Sequence, residues 1–191
     1  GKRKIAIFTS SRAEYGLLHP IISYLYKSTS IKLQIYVSGT HLDSDFGYTL
    51  DEIEEDFHEI SAKIKINLSD DSSTGIARAM SDCLVGTAET IKSLKPDLFV
   101  VLGDRFETFM ACQASMINNI PIAHIHGGEL TEGALDDVFR HSITKMSHFH
   151  FVAAEEFKQR VMQLGENPKN IFVSGATGID NITNLNFIKK N

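Results

Sequence analysis

The chain has 191 residues, 42% of them hydrophobic and 23% charged, which excludes a disordered chain and fits one core, or one core plus a fragment of a second. Lys and Arg total 19 against 24 Asp and Glu, a net charge of −5. That balance excludes a nucleic-acid protein relying on bulk positive charge but leaves room for a local arginine site for phosphate.

Short β-rich runs alternate with helical periodicity along the sequence. Lys4–Thr9 reads as a buried strand and Glu14–Lys27 as a helix with Leu17, Leu18, Ile21, Ile22 and Leu25 on one face. Lys32–Val37 is a second strand, Ser38–Leu50 a polar loop, and Leu50–Asp56 a short acidic helix. A strand near a sheet edge is expected over His58–Ile66, and the longest helix over Thr74–Leu94, stopped by Pro96. Leu98–Leu102 (LFVVL) is a continuous apolar run, as in a central parallel strand covered on both faces. Helices over Arg105–Asn118, Leu135–Met146 and Glu155–Leu164 then alternate with strands over Pro121–Ile125, Phe149–Ala153 and Ile171–Ser174.

The alternation predicts an α/β fold with an open, doubly wound, Rossmann-like parallel sheet over residues 1–175. Residues 176–191 are expected to form a linker or helix (Ile179, Ile182, Leu185) leading to a second domain. A terminal helix docking back on the sheet is the alternative. No apolar run is long enough to span a bilayer, and the short apolar stretch near the N-terminus reads as a strand, not a signal peptide. Cys83 and Cys112 are isolated, consistent with buried thiols in a reducing cytoplasm.

Ligands of such sheets bind beyond the carboxyl ends of the strands. After the first strand comes Ser10–Ser11–Arg12. The sequence contains neither GxGxxG nor GxxxxGK[ST], so neither a dinucleotide cofactor nor a P-loop is expected. Arg12 at a helix start could fork onto a phosphate, or Ser10 or Ser11 could be a plain N-cap beside a solvated arginine. After the central strand, Gly103–Asp104–Arg105–Phe106–Glu107 brings a carboxylate and a guanidinium to the same edge. After the fifth comes His126–Gly127–Gly128–Glu129, where paired glycines let backbone approach a ligand. His124 and His126, two apart, would share a strand face. That pair invites a metal reading, but it lacks third and fourth ligands, so no metal is expected. In the following helix Arg140 lies one turn beyond Asp136 and Asp137. Either they form a helical ion pair, or one aspartate faces the cleft.

SSRAEYGLL (10–18), SGTHLDSDFGYT (38–49), GDRFE (103–107), HIHGGE (124–129), DDVFRHSITKMSHFHF (136–151) and SGATGID (174–180) occur in family order over nearly the whole chain. Together they resemble the hydrolysing UDP-N-acetylglucosamine 2-epimerases of bacterial sialic-acid and related nonulosonic-acid synthesis. The resemblance implies the first half of a two-domain fold like that of the GT-B glycosyltransferases, with substrate between the domains. It implies a UDP-sugar substrate, no cofactor, a cytoplasmic homo-oligomer without membrane or nucleic-acid partners, and no turnover by this domain alone. By position, Arg12 and Arg105 resemble residues that contact the nucleotide diphosphate, while Asp104, Asp136 and Arg140 fall on active-site positions. Position 126, a glutamate in some relatives, is His126 here, and Gly16 replaces a hydroxyl residue seen in some relatives. Glu129 is the nearest substitute acid/base, with His126 assigned to substrate contact.

The implied reaction eliminates UDP across C1–C2 to a 2-acetamidoglycal, then hydrates it with inversion at C2, giving an N-acetylmannosamine-type sugar. A GT-B glycosyltransferase, a metal-dependent hydrolase built on His124 and His126, and a non-catalytic sugar-nucleotide binding module are the competing readings.

Overall fold

A computed structural model describes residues 1–47, 49–57, 59–133 and 135–174. The expected linker over 176–191 and all but the first residue of SGATGID lie outside the described residues. Seven parallel strands form one sheet in the order β3-β2-β1-β4-β5-β6-β7. They are β1 (Arg3–Thr9), β2 (Ile31–Ser38), β3 (Ala62–Ile64), β4 (Leu98–Leu102), β5 (Ile122–Ile125), β6 (Phe149–Val152) and β7 (Ile171–Val173). The chain grows outward from β1 in one direction and from β4 in the other. The switch point therefore lies between β1 and β4, where Ile5–Ile7 pairs with Leu98–Val100.

The helices are α1 (Arg12–Lys27), α2 (Leu50–Phe57), α3 (Ser73–Leu94), α4 (Phe106–Ile117), α5 (Asp136–Met146) and α6 (Glu155–Gln163). Every residue of β4 is buried, because alternate side chains enter two different cores. Leu98, Val100 and Leu102 pack with Leu18, Ile22 and Leu25 of α1 and Ile53 of α2. Phe99 and Val101 pack with Cys83 and Ile91 of α3, Ala111 and Cys112 of α4 and Ile143 of α5. Both cysteines are buried and free, and burial pushes both thiols up. No described helix is long and apolar enough to cross a membrane.

Several expectations shift. The strand predicted over His58–Ile66 pairs only as Ala62–Ile64 against Tyr36–Ser38 at the sheet edge. Just before it, Ser61 already anchors the chain: its N–H donates to the Ile35 carbonyl and its Oγ accepts from the Ile35 N–H. The loop predicted over Ser38–Leu50 starts one residue later, since β2 runs through Ser38, and it contains two single-turn 3-10 helices. Arg105 stands outside α4 as its N-cap, in extended backbone.

Candidate active site

The carboxyl ends of β1, β2, β4 and β5 bring the sequence motifs to one edge, in two clusters. The first centres on Arg140, which is 6% exposed. Its Nη2 donates to Asp104 Oδ2 at 2.5 Å, and its Nη1 to the His126 carbonyl at 2.7 Å and Glu129 Oε2 at 3.4 Å. Glu129 Oε2 also lies 3.7 Å from His126 Nδ1. One guanidinium thus ties the turn after β4 to the turn after β5. The helical ion pair open to Arg140 with Asp136 or Asp137 does not form, since among the described residues its carboxylate partners are Asp104 and Glu129. The Nε of Arg140 is buried without a partner among the described residues.

Backbone shape makes this meeting possible. Gly103 has φ +85°, which turns the chain sharply after β4. His126 itself has φ +65°, a left-handed conformation that costs a non-glycine residue of the order of 1 kcal/mol or more. Its N–H is held by the Phe151 carbonyl at 2.9 Å, which fixes the kink. His126 lies beyond the end of β5, outside the strand that holds His124.

His124 is fully buried and occupied on both nitrogens. Nε2 meets the Gly103 carbonyl at 2.9 Å and Nδ1 the Thr144 hydroxyl at 3.2 Å. Burial holds its pKa down to about 3 against the opposing effect of the Gly103 bond, so the ring is neutral, Nε2 donating and Nδ1 accepting. It props up the Gly103 turn rather than offering a lone pair to a metal. Among the described residues no group of three or more His, Cys, Asp or Glu is placed to hold one.

The second cluster lies around the start of α1. Ser11 is the N-cap and accepts from the Glu14 N–H at 3.3 Å. Glu14 folds back to accept from the N–H and hydroxyl of Ser10 at 2.8 and 2.6 Å, a variant of the capping box. Thr108 of α4 adds a third donor at 3.2 Å. Glu107 is fully buried and grips Arg105 with both oxygens, 3.2 Å from Nε and 3.0 Å from Nη2. Sequence spacing suggests Glu107 at the edge beside Arg105; it lies beneath, and only the arginine is partly exposed.

Among the described residues Arg12 and Asp136 pair with no member of either cluster. The Arg12 side chain is 75% exposed and lies 3.7 Å from Glu52 of α2. Asp136 is exposed in the first turn of α5. Its neighbour Asp137 accepts from the N–H and hydroxyl of Thr131, and these bonds hold its carboxyl below the usual range. Sequence reasoning missed Glu14, Gly39 and His41 as parts of this edge. The Ser-x-x-Glu spacing of residues 11–14 is the signal that could have found Glu14.

Three buried histidines predict an acid-sensitive fold. Burial holds His41 and His150 down to about 4 and His124 to about 3. Each unfolded ring would bind a proton below about pH 6.5 that the folded ring refuses, so stability falls as the pH drops through that value. The cost is roughly 1–2 kcal/mol per histidine between pH 6.5 and 5. Glu14, raised by burial, acts in the opposite sense, but it is one group against three. Thermal melts should show Tm falling steadily from pH 7 to 5; a flat profile would contradict the buried neutral rings.

The family profile described as UDP-N-acetylglucosamine 2-epimerase matches residues 24–191. The chain is 42% identical over 189 residues to a GDP/UDP-N,N'-diacetylbacillosamine 2-epimerase (hydrolyzing) of Campylobacter jejuni, covering 99% of this chain and 49% of that protein. It is 42% identical over 180 residues to a UDP-N,N'-diacetylbacillosamine 2-epimerase (hydrolyzing) of Legionella pneumophila, covering 94% and 48%. The chain therefore spans about half the length of these curated relatives. Among solved structures, a UDP-GlcNAc 2-epimerase from Neisseria meningitidis bound to UDP-GlcNAc superposes with a TM-score of 0.79 at 22% identity, over 94% of this chain and 48% of that one. That likeness shows the fold, which is the N-terminal Rossmann-like half of a GT-B architecture.

Proposed function

The chain belongs to the UDP-N-acetylglucosamine 2-epimerase family, and from that premise we propose that it supplies the first domain of a hydrolysing 2-epimerase. Its substrate is a nucleotide-linked 2-acetamido sugar of the UDP-N-acetylglucosamine type. The observation that carries the reading is the knot at the sheet edge, where Arg140 holds Asp104, Glu129 and the backbone of His126 together. A carboxylate removes the C2 proton while the C1–O bond breaks and UDP leaves with the electron pair. Water then adds, its hydroxyl to C1 and a proton to the opposite face of C2. The C2 proton is not acidified by an adjacent carbonyl, so removing it needs a positioned base, and returning one needs a second group. Asp104 and the Glu129–His126 pair supply two such groups from two strands. Arg105 and Arg12 offer cationic contacts to the departing diphosphate.

The test is turnover in deuterated water by the two-domain enzyme, with UDP-N-acetylglucosamine, UDP-N,N'-diacetylbacillosamine and GDP-N-acetylglucosamine as donors. An inverted product with deuterium at C2, together with free nucleotide diphosphate, is expected from at least one donor. Transfer of the sugar to an acceptor without exchange at C2 would indicate a glycosyltransferase. Residues 1–191 alone are expected to fold without turnover.

The division of labour between Glu129 and His126 is open to the same assay. We assign acid/base transfer to Glu129 and substrate contact to His126. Glu129→Gln then loses activity at every pH, by about 10²-fold or more, since an amide cannot carry the proton. His126→Asn should mainly raise KM. A near-normal Glu129→Gln enzyme, with His126→Asn abolishing a pH inflection in kcat/KM, would reverse the assignment.

A further inference from the structure

Three segments that serve different local purposes converge beneath Arg105. Glu107 comes from the first turn of α4, Glu14 from the first turn of α1, and Gly39 from the turn that leaves β2. Glu107 has no exposed side-chain surface, whereas the Arg105 side chain is 38% exposed. The carboxylate takes the Nε–Nη2 edge of the guanidinium in a two-point grip, which fixes the plane of the group and not merely its distance. Among the described residues no other hydrogen bond reaches the guanidinium, so Nη1 remains available for an outer partner.

The surroundings are shaped to keep this carboxylate in place. Gly39 has φ +59°, and a Cβ there would stand 3.3 Å from Glu107 Oε1 and 2.5 Å from the Ser10 carbonyl oxygen. The Thr40 N–H and hydroxyl both donate to that same carbonyl, at 2.9 and 3.1 Å, and lock the glycine turn against α1. Glu14 lies close enough that its charge and that of Glu107 act on each other and on Arg105. Burial pushes the Glu14 carboxyl up; at Arg105 burial is opposed by Glu107 first and then by Glu14 and Asp104, which together hold the guanidinium above its ordinary value. Glu107 is thus the main counter-charge, and Glu14 adds less to neutralising the arginine. A buried ion pair is an expensive way to build stability. A two-point grip under a half-exposed arginine makes better sense as orientation.

We propose that Glu107 is a positioning residue that acts through Arg105, holding the Nε–Nη2 edge so that the remaining N–H groups are presented to the diphosphate of the nucleotide sugar. The idea rests on the epimerase reading for its ligand. Gly39 is required in the same device because any side chain there would displace Glu107 or the Ser10 backbone.

The experiment is a double-substitution cycle in the two-domain enzyme, with UDP binding measured by titration calorimetry and kcat and KM measured separately. Glu107→Gln removes the counter-charge. Glu107→Asp keeps it but shortens the reach by one methylene, and serves if the amide variant does not fold. Either variant should weaken UDP binding by about 10- to 100-fold, the range of one to two lost charge-assisted bonds, and lower kcat/KM by at least as much, since Arg105 also meets the departing diphosphate. In an Arg105→Lys background the same change should cost less than about 2-fold, because the group it orients is already gone. UDP affinity unchanged in the single variants, or an equal loss with and without Arg105, would overturn the proposal. If the unaltered enzyme neither binds UDP nor turns over any donor, the epimerase reading falls and takes this ligand with it. That outcome is read from the unaltered protein and so is distinct from a failure of Glu107 alone.

Discussion

Replacing Asp104 with asparagine in the two-domain enzyme is expected to lower kcat by about 10²–10⁴-fold, the usual worth of a general base, while the fold survives. The amide keeps the shape of the side chain and an oxygen able to accept from Arg140 Nη2, now 2.5 Å from Asp104 Oδ2. It removes the negative charge and the capacity to take a proton. Asp104 is 20% exposed at the side chain, so it is reachable from the sheet edge, and it is not the N-cap of α4, a position held by Arg105. The helix therefore loses no cap in the variant, and a drop in turnover cannot be ascribed to fraying of α4. The measurement is kcat by coupled detection of released UDP, with near-UV circular dichroism to confirm native packing. Activity within a few-fold of the unaltered enzyme would reduce Asp104 to a partner of Arg140, and proton abstraction would have to be sought at Glu129 or Asp136.

The strands were legible because burial writes itself into composition. A five-residue run such as Leu98–Leu102 has no polar face to hide, and the structure buries all of it. The site was legible only in part. Asp104, Arg105 and Glu129 could be placed at the sheet edge because each lies in a turn that follows a strand, whereas Arg140 sits a full turn inside α5. Their pairing was not readable. Helical spacing favours Arg140 with Asp136 or Asp137, yet a contact between residues 104 and 140 depends on how β4 and β5 lie side by side, which periodicity does not encode. The same holds for Glu107 and Glu14, whose burial comes from the meeting of two helix starts at the β1–β4 switch point. The left-handed backbone at His126 was hidden because the two glycines after it look like the natural places for the bend.

Arg140 joins two turns at this edge, and its proposed part in the chemistry can be separated from its part in stability. Arg140→Met, which keeps length and apolar bulk but deletes the charge, should destabilise the protein by roughly 2–4 kcal/mol, the scale of removing one partner from a largely buried charge network. Burial argues for the upper part of that range, since the Arg140 side chain is 7% exposed and the His126 carbonyl would lose its 2.7 Å donor beside a strained backbone. Partial exposure of Asp104 and Glu129, at 20% and 28%, argues for the lower part, because water can solvate the freed carboxylates. Arg140→Lys separates the two roles. An ammonium restores charge but cannot reach Asp104, Glu129 and the His126 carbonyl with one planar fork. Lysine should therefore recover a good part of the lost Tm while leaving kcat at least about 10-fold below normal, the cost of acid/base groups held off their working positions. The pair is read by thermal melts and by kcat over pH 6–9. If lysine restores turnover together with Tm, charge alone suffices at position 140. If Arg140→Met melts like the unaltered protein, the guanidinium does not hold the two turns together, and the geometry of Asp104 and Glu129 must be set by the backbone at Gly103 and His126.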